Sequence, residues 1–152
     1  MEDLKLIVLD NIEELGKKID NNLKKIYKTD KSFIANITRD RFSNGEGKIR
    51  INTNIKGKNV YIISDIANYD ITYKMYGFIH HMSPDEHFQD IKRVISALQG
   101  YAKKIVLIMP LLYQSRQDKR IENESLDCAL ALQELERLGV NNIITFDVHN
   151  IC

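Results

Sequence analysis

This sequence of 152 residues lacks the features that mark several classes of protein. It has two prolines, two cysteines and no tryptophan, while 43% of its residues are hydrophobic and 28% are charged. So little proline beside so much apolar content argues against collagen-like, low-complexity and disordered chains. The length suits one domain around a single packed core. We therefore expect a single domain over residues 1–152.

Long hydrophobic runs are also missing. The longest, Ile105–Leu112, has eight residues and contains Pro110, whereas a helix needs roughly 20 apolar residues to span a bilayer. The first ten residues carry three acids and one lysine, which is unlike the cationic start of a secretory signal. We expect no transmembrane helix and a cytoplasmic location.

The chain carries no excess of charge of either sign and no cysteine motif. Its 22 lysines and arginines face 21 acids, for a net charge of +1. Without an overall positive field, neither nucleic acid nor a membrane is expected as a partner, and anion binding must be local. Cys128 and Cys152 lie 24 residues apart without a Cys-x-x-Cys pair, which favours reduced thiols over a disulfide or a zinc site.

Apolar periodicity predicts alternating strands and helices. Strands are predicted at Lys5–Leu9, Phe33–Thr38, Lys48–Thr53, Asn59–Ser64, Lys104–Met109 and Asn142–Asp147. Helices are predicted at Asn11–Ile26, from a cap at Ser83 through Leu98, and at Glu124–Leu138. Helices of more than ten residues between strands imply right-handed crossovers. The fold class is therefore α/β, a doubly wound and mostly parallel sheet with helices on both faces, plus a β-hairpin flap around the Asn44-Gly45 turn.

In such a sheet, ligands bind beyond the carboxyl ends of the strands. The loop after Lys104–Met109 contains Arg116, Lys119 and Arg120 just ahead of a predicted helix. Arginine forks and a helix amino terminus suit a polyphosphate. The alternative is a solvated loop with scattered charges.

A second candidate lies after the last strand, where Asp147 and His149 follow each other with one residue between them. A carboxylate and an imidazole could complete a magnesium or manganese site that phosphates already hold. A structural histidine is the alternative. His80, His81 and His87 do not suggest a metal cluster, because adjacent side chains diverge and no acid completes the set.

The hairpin loop is a third candidate. Arg39, Arg41, Phe42 and Glu46 surround the Asn44-Gly45 turn and offer a purine an aromatic face, donors and acceptors. A plain hairpin turn is the alternative. Neither G-x-G-x-x-G nor G-x-x-x-x-G-K-[ST] occurs, so Rossmann-type and P-loop nucleotide binding are unsupported.

Taken in order, the three loops resemble one family. The motifs are Arg41–Glu46, Tyr113 with Arg116–Arg120, and Thr145–His149, and they are similar to those of ribose-phosphate pyrophosphokinase, also called phosphoribosyl pyrophosphate synthetase. The resemblance implies a phosphoribosyltransferase-like fold, a homo-oligomer, and transfer of the β,γ-diphosphate of ATP to ribose 5-phosphate with Mg²⁺.

The resemblance also implies roles for seven residues. The family's adenine-binding loop, supplied by a neighbouring subunit, falls on Phe42, Asn44 and Glu46. Its Arg-Gln-Asp contacts to ATP fall on Arg116, Gln117 and Asp118, and its metal-binding histidine falls on His149.

The sequence departs from the family pattern in several places. Asn44 stands where Asp is usual, and the stretch 65–82 is longer than usual between strand and helix. The resemblance reaches only the amino-terminal, ATP-binding half, so we expect the carboxyl-terminal catalytic half to be absent and assign no catalytic residue. Because the sequence ends three residues after His149, we expect an isolated domain or a truncated gene product that is inactive alone. A non-catalytic nucleotide-binding or regulatory module of the same fold is the alternative.

Overall fold

Strands and helices alternate along residues 3–149, the part of the chain that the computed structural model describes. In chain order the elements are β1 (Leu4–Val8), a 3-10 turn (Asp10–Ile12), α1 (Glu13–Tyr27), β2 (Ile37–Arg41), β3 (Gly47–Ile51), β4 (Asn59–Ile63), β5 (Thr72–Met75), β6 (Phe78–His81), α2 (Pro84–Leu98), β7 (Lys104–Ile108), α3 (Asp127–Arg137) and β8 (Asn142–Ile144). No helix in this part of the chain is long and apolar enough to cross a membrane.

The central sheet has the order β1-β4-β7-β8, and all its strands are parallel. On the outer edge of β1, the Leu6 amide donates to the Phe33 carbonyl over 2.9 Å and the Ala35 amide donates to the Leu6 carbonyl over 2.7 Å. The chain therefore moves first to one side of β1 and then returns to add β4, β7 and β8 on the other side. This reversal confirms the predicted doubly wound sheet.

Helices cover both faces of the sheet, as predicted. On one face Ile19 and Leu23 of α1 pack against Leu6 and Ile63. On the other face the buried side chains of α2 and α3 pack against β4 and β7; they are Phe88, Ile91, Val94, Ile95, Leu98, Ala131 and Leu135. Alternate residues of each strand pack on opposite faces of the sheet, because successive side chains of a strand point in opposite directions.

The predicted hairpin flap is confirmed, with shifted bounds. β2 and β3 pair antiparallel from Ile37 opposite Ile51 to Arg41 opposite Gly47. The predicted strand Phe33–Thr38 is split, since residues 33–35 pair with β1 and β2 begins only at Ile37. Buried Asp20 accepts the Phe33 amide over 2.7 Å and so holds residue 33 at the sheet edge. The base of the flap is anchored by Ile37, Ile49 and Ile51, which pack against the core.

A second hairpin, β5–β6, occupies the stretch 65–82, where the sequence predicted no element. Thr72 pairs with His81 and Met75 with Phe78. The turn residues Tyr76 and Gly77 both have positive φ, 48° and 87°, which is the conformation of a tight hairpin turn. Tyrosine is uncommon in that conformation, so the turn gave no clear signal in the sequence.

Two predicted element ends are wrong by three residues. α3 begins at Asp127 instead of Glu124, because the Glu124 carboxylate accepts the Ile121 amide in a turn ahead of the helix. β8 ends at Ile144 instead of Asp147, because the amides of Phe146 and Asp147 turn to the Pro110 carbonyl.

Candidate functional site

The loops that follow β7 and β8 are joined at the carboxyl edge of the sheet. The Pro110 carbonyl accepts the amides of Phe146 and Asp147 over 3.0 and 2.9 Å, and the Thr145 hydroxyl over 3.1 Å. In return the Leu112 amide donates to the Asp147 carbonyl over 3.1 Å. These bonds hold side by side two of the loops in which the sequence predicted site residues.

Asp118 and His149 meet where these loops approach each other. Asp118 Oδ1 lies 4.0 Å from His149 Nδ1; the Asp118 side chain is 19% exposed and that of His149 53% exposed. At this distance the two groups are close enough to share a small ligand without being directly hydrogen-bonded. The structure thus brings a predicted ATP contact together with the predicted metal ligand.

Arg116 and Gln117 lie on a turn that opens to solvent. The Gln117 amide donates to the Gln114 carbonyl over 2.8 Å, and Gln114 has a φ of 57°. The Gln117 carbonyl accepts the Cys128 amide over 3.4 Å, which sets the turn against the first turn of α3. Both predicted side chains are exposed, so the Arg116 guanidinium is accessible to a ligand.

Cys128 is buried in the first turn of α3 and is a free thiol. Burial, with a smaller effect of the nearby Asp118 carboxylate, raises its pKa. A raised pKa keeps the thiol protonated and weakly reactive, as expected for the reduced, structural cysteine that the sequence predicted. Cys152 lies outside the described residues.

Tyr113 fastens the Arg116 loop to the start of α2. Its ring stacks on Phe88 with centroids 4.1 Å apart and planes 5° from parallel. Its hydroxyl donates to Asp85 Oδ1 over 2.7 Å. Burial raises the pKa of Tyr113; a hydrogen bond with Gln114 opposes this and the bond to Asp85 adds to it. The hydroxyl therefore stays a donor, and the first residue of the family motif is an anchor.

The flap loop is a turn shaped by its own polar groups. The Phe42 amide donates to the Glu46 carbonyl over 2.8 Å, and the Gly45 amide to the Phe42 carbonyl over 2.9 Å. The Asn44 side-chain oxygen accepts the Glu46 amide over 3.1 Å. A carboxylate at position 44 could accept the same bond, so the departure from Asp preserves the turn. The Phe42 ring is 52% exposed and is available for stacking.

The two arginines beside this turn do not face an open site, contrary to the sequence-based interpretation. Arg39 forms an ion pair with Asp10. Arg41 donates to Asp90 Oδ2 over 2.6 Å. These contacts direct both guanidinium groups towards carboxylates of other elements. Phe42, with Asn44 and Glu46, remains the part of the loop that can meet a ligand.

A buried polar network that the sequence pattern did not predict lies at the carboxyl ends of β1 and β4. Asn11 Nδ2 donates to Ser64 Oγ over 3.0 Å and lies 3.1 Å from His87 Nδ1, and Asn11 Oδ1 accepts the Asp65 amide over 3.1 Å. His87 Nε2 lies 2.8 Å from the Asn68 carbonyl. The carbonyl requires a donor and Asn11 Nδ2 requires an acceptor, which assigns the His87 proton to Nε2. His87 is therefore structural.

The three central histidines do not form a metal cluster. His80 contacts Glu86, and His81 contacts the Tyr69 carbonyl, while His87 lies in the network around Asn11. Across residues 3–149 no three His, Cys, Asp or Glu side chains converge on a point where they could together hold a metal ion.

Comparison with known proteins decides the family. A family model described as the N-terminal domain of ribose phosphate pyrophosphokinase matches residues 4–139. The chain belongs to that family. The matched region includes the flap loop and Arg116–Asp118 but ends before His149.

Similar proteins cover the chain almost completely, but the chain covers only part of them. Ribose-phosphate pyrophosphokinase of Haemophilus ducreyi is 26% identical over 98% of the chain and 42% of its own length. That of Corynebacterium ammoniagenes is 30% identical over 72% of the chain and 31% of its own length. Phosphoribosylpyrophosphate synthetase from Mycobacterium smegmatis superimposes with a TM-score of 0.76 at 22% identity, covering 98% of the chain and 44% of that protein. The chain thus spans about two fifths of the length of the relatives that align with almost all of it. The structural match confirms the phosphoribosyltransferase-like fold.

Within this pyrophosphokinase domain the seven predicted site residues fall into two groups. Arg116, Gln117, Asp118 and His149 share the joined loops after β7 and β8, and Phe42, Asn44 and Glu46 lie on the flap loop. Both groups are tied to the start of α2, the first through Tyr113 and Asp85 and the second through Arg41 and Asp90. The roles of the seven residues stay predictions.

Proposed function

We propose that this chain is the ATP-binding half of a ribose-phosphate diphosphokinase, which transfers the β,γ-diphosphate of ATP to the 1-hydroxyl of ribose 5-phosphate. The observation that carries the proposal is the joined pair of loops at the carboxyl edge of the sheet, where the exposed Arg116 precedes Asp118 and Asp118 faces His149. Sheets of this kind bind ligands at that edge. Arg116 would supply forked hydrogen bonds to phosphate oxygens.

The same loops have donors that fit Mg²⁺ carried by ATP. Mg²⁺ binds few protein groups and takes its remaining oxygen ligands from phosphates and water. One imidazole nitrogen on His149 and one carboxylate on Asp118, at 4.0 Å from each other, match that requirement, and both side chains reach solvent. When bound, the metal would neutralise charge on the diphosphate during transfer.

The adenine ring would be held by the flap loop. Phe42 offers its half-exposed ring as a stacking face, and the exposed side chains of Asn44 and Glu46 offer hydrogen bonds to the ring edge. We propose that this loop serves the ATP site of a neighbouring copy, so the working enzyme is a homo-oligomer.

These 152 residues have no counterpart of the family's Asp-, Thr- and Gly-rich ribose 5-phosphate loop. Positioning two substrates against each other provides much of the rate acceleration in such a transfer. We therefore expect the isolated chain to bind MgATP but to form no phosphoribosyl pyrophosphate. Joined to a carboxyl-terminal half, from its own reading frame or from the Haemophilus ducreyi relative, it should form the product.

The test combines calorimetric MgATP binding to the isolated chain with product formation from ATP, ribose 5-phosphate and Mg²⁺ by both forms. Binding without product in the isolated chain, and product in the joined form, are expected. Product from the isolated chain, or no MgATP binding in either form, would overturn the proposal. Binding without product in the joined form would favour a non-catalytic nucleotide-binding module.

A further inference from the structure

The β5–β6 hairpin, which the sequence pattern missed, touches the flap loop directly. The Tyr76 amide, at the hairpin turn, donates to the Ser43 carbonyl in the flap loop over 2.8 Å. A Cβ atom added at Gly45 would lie 3.0 Å from the Tyr73 hydroxyl and 3.1 Å from Met75 Sδ. These distances are at or below ordinary van der Waals contact, so the hairpin packs closely against the flap loop.

Arg41 joins the same contact from the flap side. Its guanidinium donates to the Gly45 carbonyl over 3.2 Å and to Asp90 over 2.6 Å. Its Cζ lies 5.1 Å from the centroid of the Tyr73 ring, within the range of a cation–π contact. Asp90 also accepts Arg93 over 2.7 Å. Arg41 therefore links the loop backbone, the hairpin and α2.

Tyr73 is in turn fixed to the start of α2. Its hydroxyl donates to Glu86, whose other oxygen accepts the Ser83 amide of the helix cap over 2.8 Å. Burial first, and then the hydrogen bond to Glu86, raise the pKa of Tyr73 to about 12. The hydroxyl remains a donor over the range in which an enzyme is assayed, so the contact persists.

From these contacts we propose that the β5–β6 hairpin braces the flap loop, and that Tyr73 and Arg41 are positioning residues for nucleotide binding by that loop. The inference rests on the proposed role of the flap loop in holding adenine. Neither residue is required to touch the nucleotide. They act by keeping Phe42, Asn44 and Glu46 in one arrangement.

The base and the tip of the flap are held by different contacts. Its base is anchored by Ile37, Ile49 and Ile51 in the core. Apart from the hydrogen bonds within the turn itself, the contacts described above for its tip are with the hairpin and with Arg41. Removing the brace should therefore free the tip and leave the base folded. A loop that occupies its binding arrangement for only part of the time binds its ligand more weakly in proportion.

The first experiment follows amide hydrogen exchange in the isolated chain. Tyr73→Ala should speed exchange of the Phe42, Gly45 and Tyr76 amides by about tenfold or more, because each is held in or against the loop, while α2 and β7 amides keep their protection. Tyr73→Phe, which removes only the hydroxyl, should give a smaller increase. Tyr69→Ala is the matched control, since Tyr69 belongs to the same stretch of chain but stacks on His81.

The second experiment measures kinetics in the form that carries the carboxyl-terminal half. Tyr73→Ala should raise KM for ATP by about tenfold, with kcat within about twofold, because weaker ground-state binding raises KM alone. KM for ribose 5-phosphate should not change. Tyr73→Phe should recover most of the affinity for ATP, and Tyr69→Ala should match the unchanged protein.

The outcomes distinguish two claims, that the β5–β6 hairpin braces the flap loop and that the flap loop binds nucleotide. Unchanged exchange at Phe42 and Gly45 would overturn the brace, whatever happens to KM. Faster exchange with an unchanged KM for ATP would keep the brace and overturn the role of the flap loop in nucleotide binding. Loss of α2 protection would mean that Tyr73→Ala has unfolded, and Met75→Ala, which removes the sulfur beside Gly45, then decides by the same two measurements.

Discussion

The carboxylate of Glu86 is strongly perturbed by its surroundings, and it allows a sharp test of the structure. Burial alone would raise its pKa, but hydrogen bonds from Tyr73, the Ser83 amide and His80 outweigh burial and lower the pKa from 4.5 to about 2. The side chain is 23% exposed, so solvent screens these contacts only partly. Its charged form is therefore favoured by the folded state.

The pH dependence of stability follows from the lowered pKa of Glu86. Because the folded pKa is lower than the unfolded value, the ionised carboxylate stabilises the fold fully above about pH 4.5 and loses that contribution as the pH falls towards 2. The difference between the two pKa values corresponds to at most roughly 3–4 kcal/mol, at 1.36 kcal/mol for each pH unit. Glu86→Gln, which keeps the shape and removes the charge, should lower the free energy of unfolding at pH 7 by about 2–3 kcal/mol.

The measurement is urea unfolding of both proteins, followed by circular dichroism between pH 7 and pH 3. The difference between them should shrink steadily below pH 4.5, because a protonated glutamic acid resembles glutamine. Glu134→Gln is the control: the Glu134 carboxylate that pairs with Lys92 is 47% exposed, so its effect should stay below about 1 kcal/mol. If the free energy of unfolding that Glu86→Gln loses does not depend on pH, or is smaller than the loss in the control, the stabilising role of the ionised carboxylate is refuted.

Three further substitutions test the packing and the proposed site. Gly16→Ala should lower the free energy of unfolding by about 1–3 kcal/mol despite the usual helical preference for alanine, because the new Cβ would collide with both methyl groups of Val8. Urea unfolding should show a smaller penalty in the Val8→Ala background, and an equal penalty there would contradict this explanation. Arg116→Ala, in the form with the carboxyl-terminal half, should lower activity about 10- to 150-fold, whereas Lys103→Ala should not, and equal losses would remove the assignment. His149→Ala should raise the Mg²⁺ concentration for half-maximal activity and leave the Tm unchanged; a lower Tm with the same Mg²⁺ curve would make the histidine structural.

Local sequence signals predicted the central fold well. The Ser83-Pro84-Asp85-Glu86 start of α2 is a complete capping box: the Ser83 hydroxyl accepts the Glu86 amide, and the Glu86 carboxylate accepts the Ser83 amide. The apolar runs at β4 and β7 became adjacent buried strands. Such signals suffice because capping and burial depend on residues that are close in sequence.

The features that the sequence did not predict depend on distant partners. Asn11 and His87 are 76 positions apart, and neither is placed by its neighbours. The turn of β5–β6 puts Tyr76 at positive φ, and the flap loop that it contacts through Ser43 lies 33 positions earlier in the chain. No periodicity within a short window encodes a contact of this kind.

In the candidate site, too, some features could be predicted from the sequence and others depend on distant partners. The rule that ligands lie at the carboxyl ends of parallel strands predicted that the loops after β7 and β8 would share one edge. The structure places Asp118 of the first loop 4.0 Å from His149 of the second. The partners of Arg39 and Arg41 could not be predicted, because each arginine forms an ion pair with an acid of another element, Arg39 with Asp10 and Arg41 with Asp90. Charge near a turn does not reveal whether it faces a ligand or a neighbouring carboxylate.

The first two turns of α2 connect both parts of the proposed site. Asp85 holds Tyr113 of the Arg116 loop, Glu86 holds Tyr73 of the hairpin, and Asp90 holds Arg41 of the flap. A helix fixes the spacing of its residues at 1.5 Å rise per residue, so these three carboxylates fix the positions of the two loops relative to α2. Sites built on such elements are more precise than sites built on loops alone. Because each carboxylate holds a different segment, replacing one of them should loosen one loop and leave the other in place.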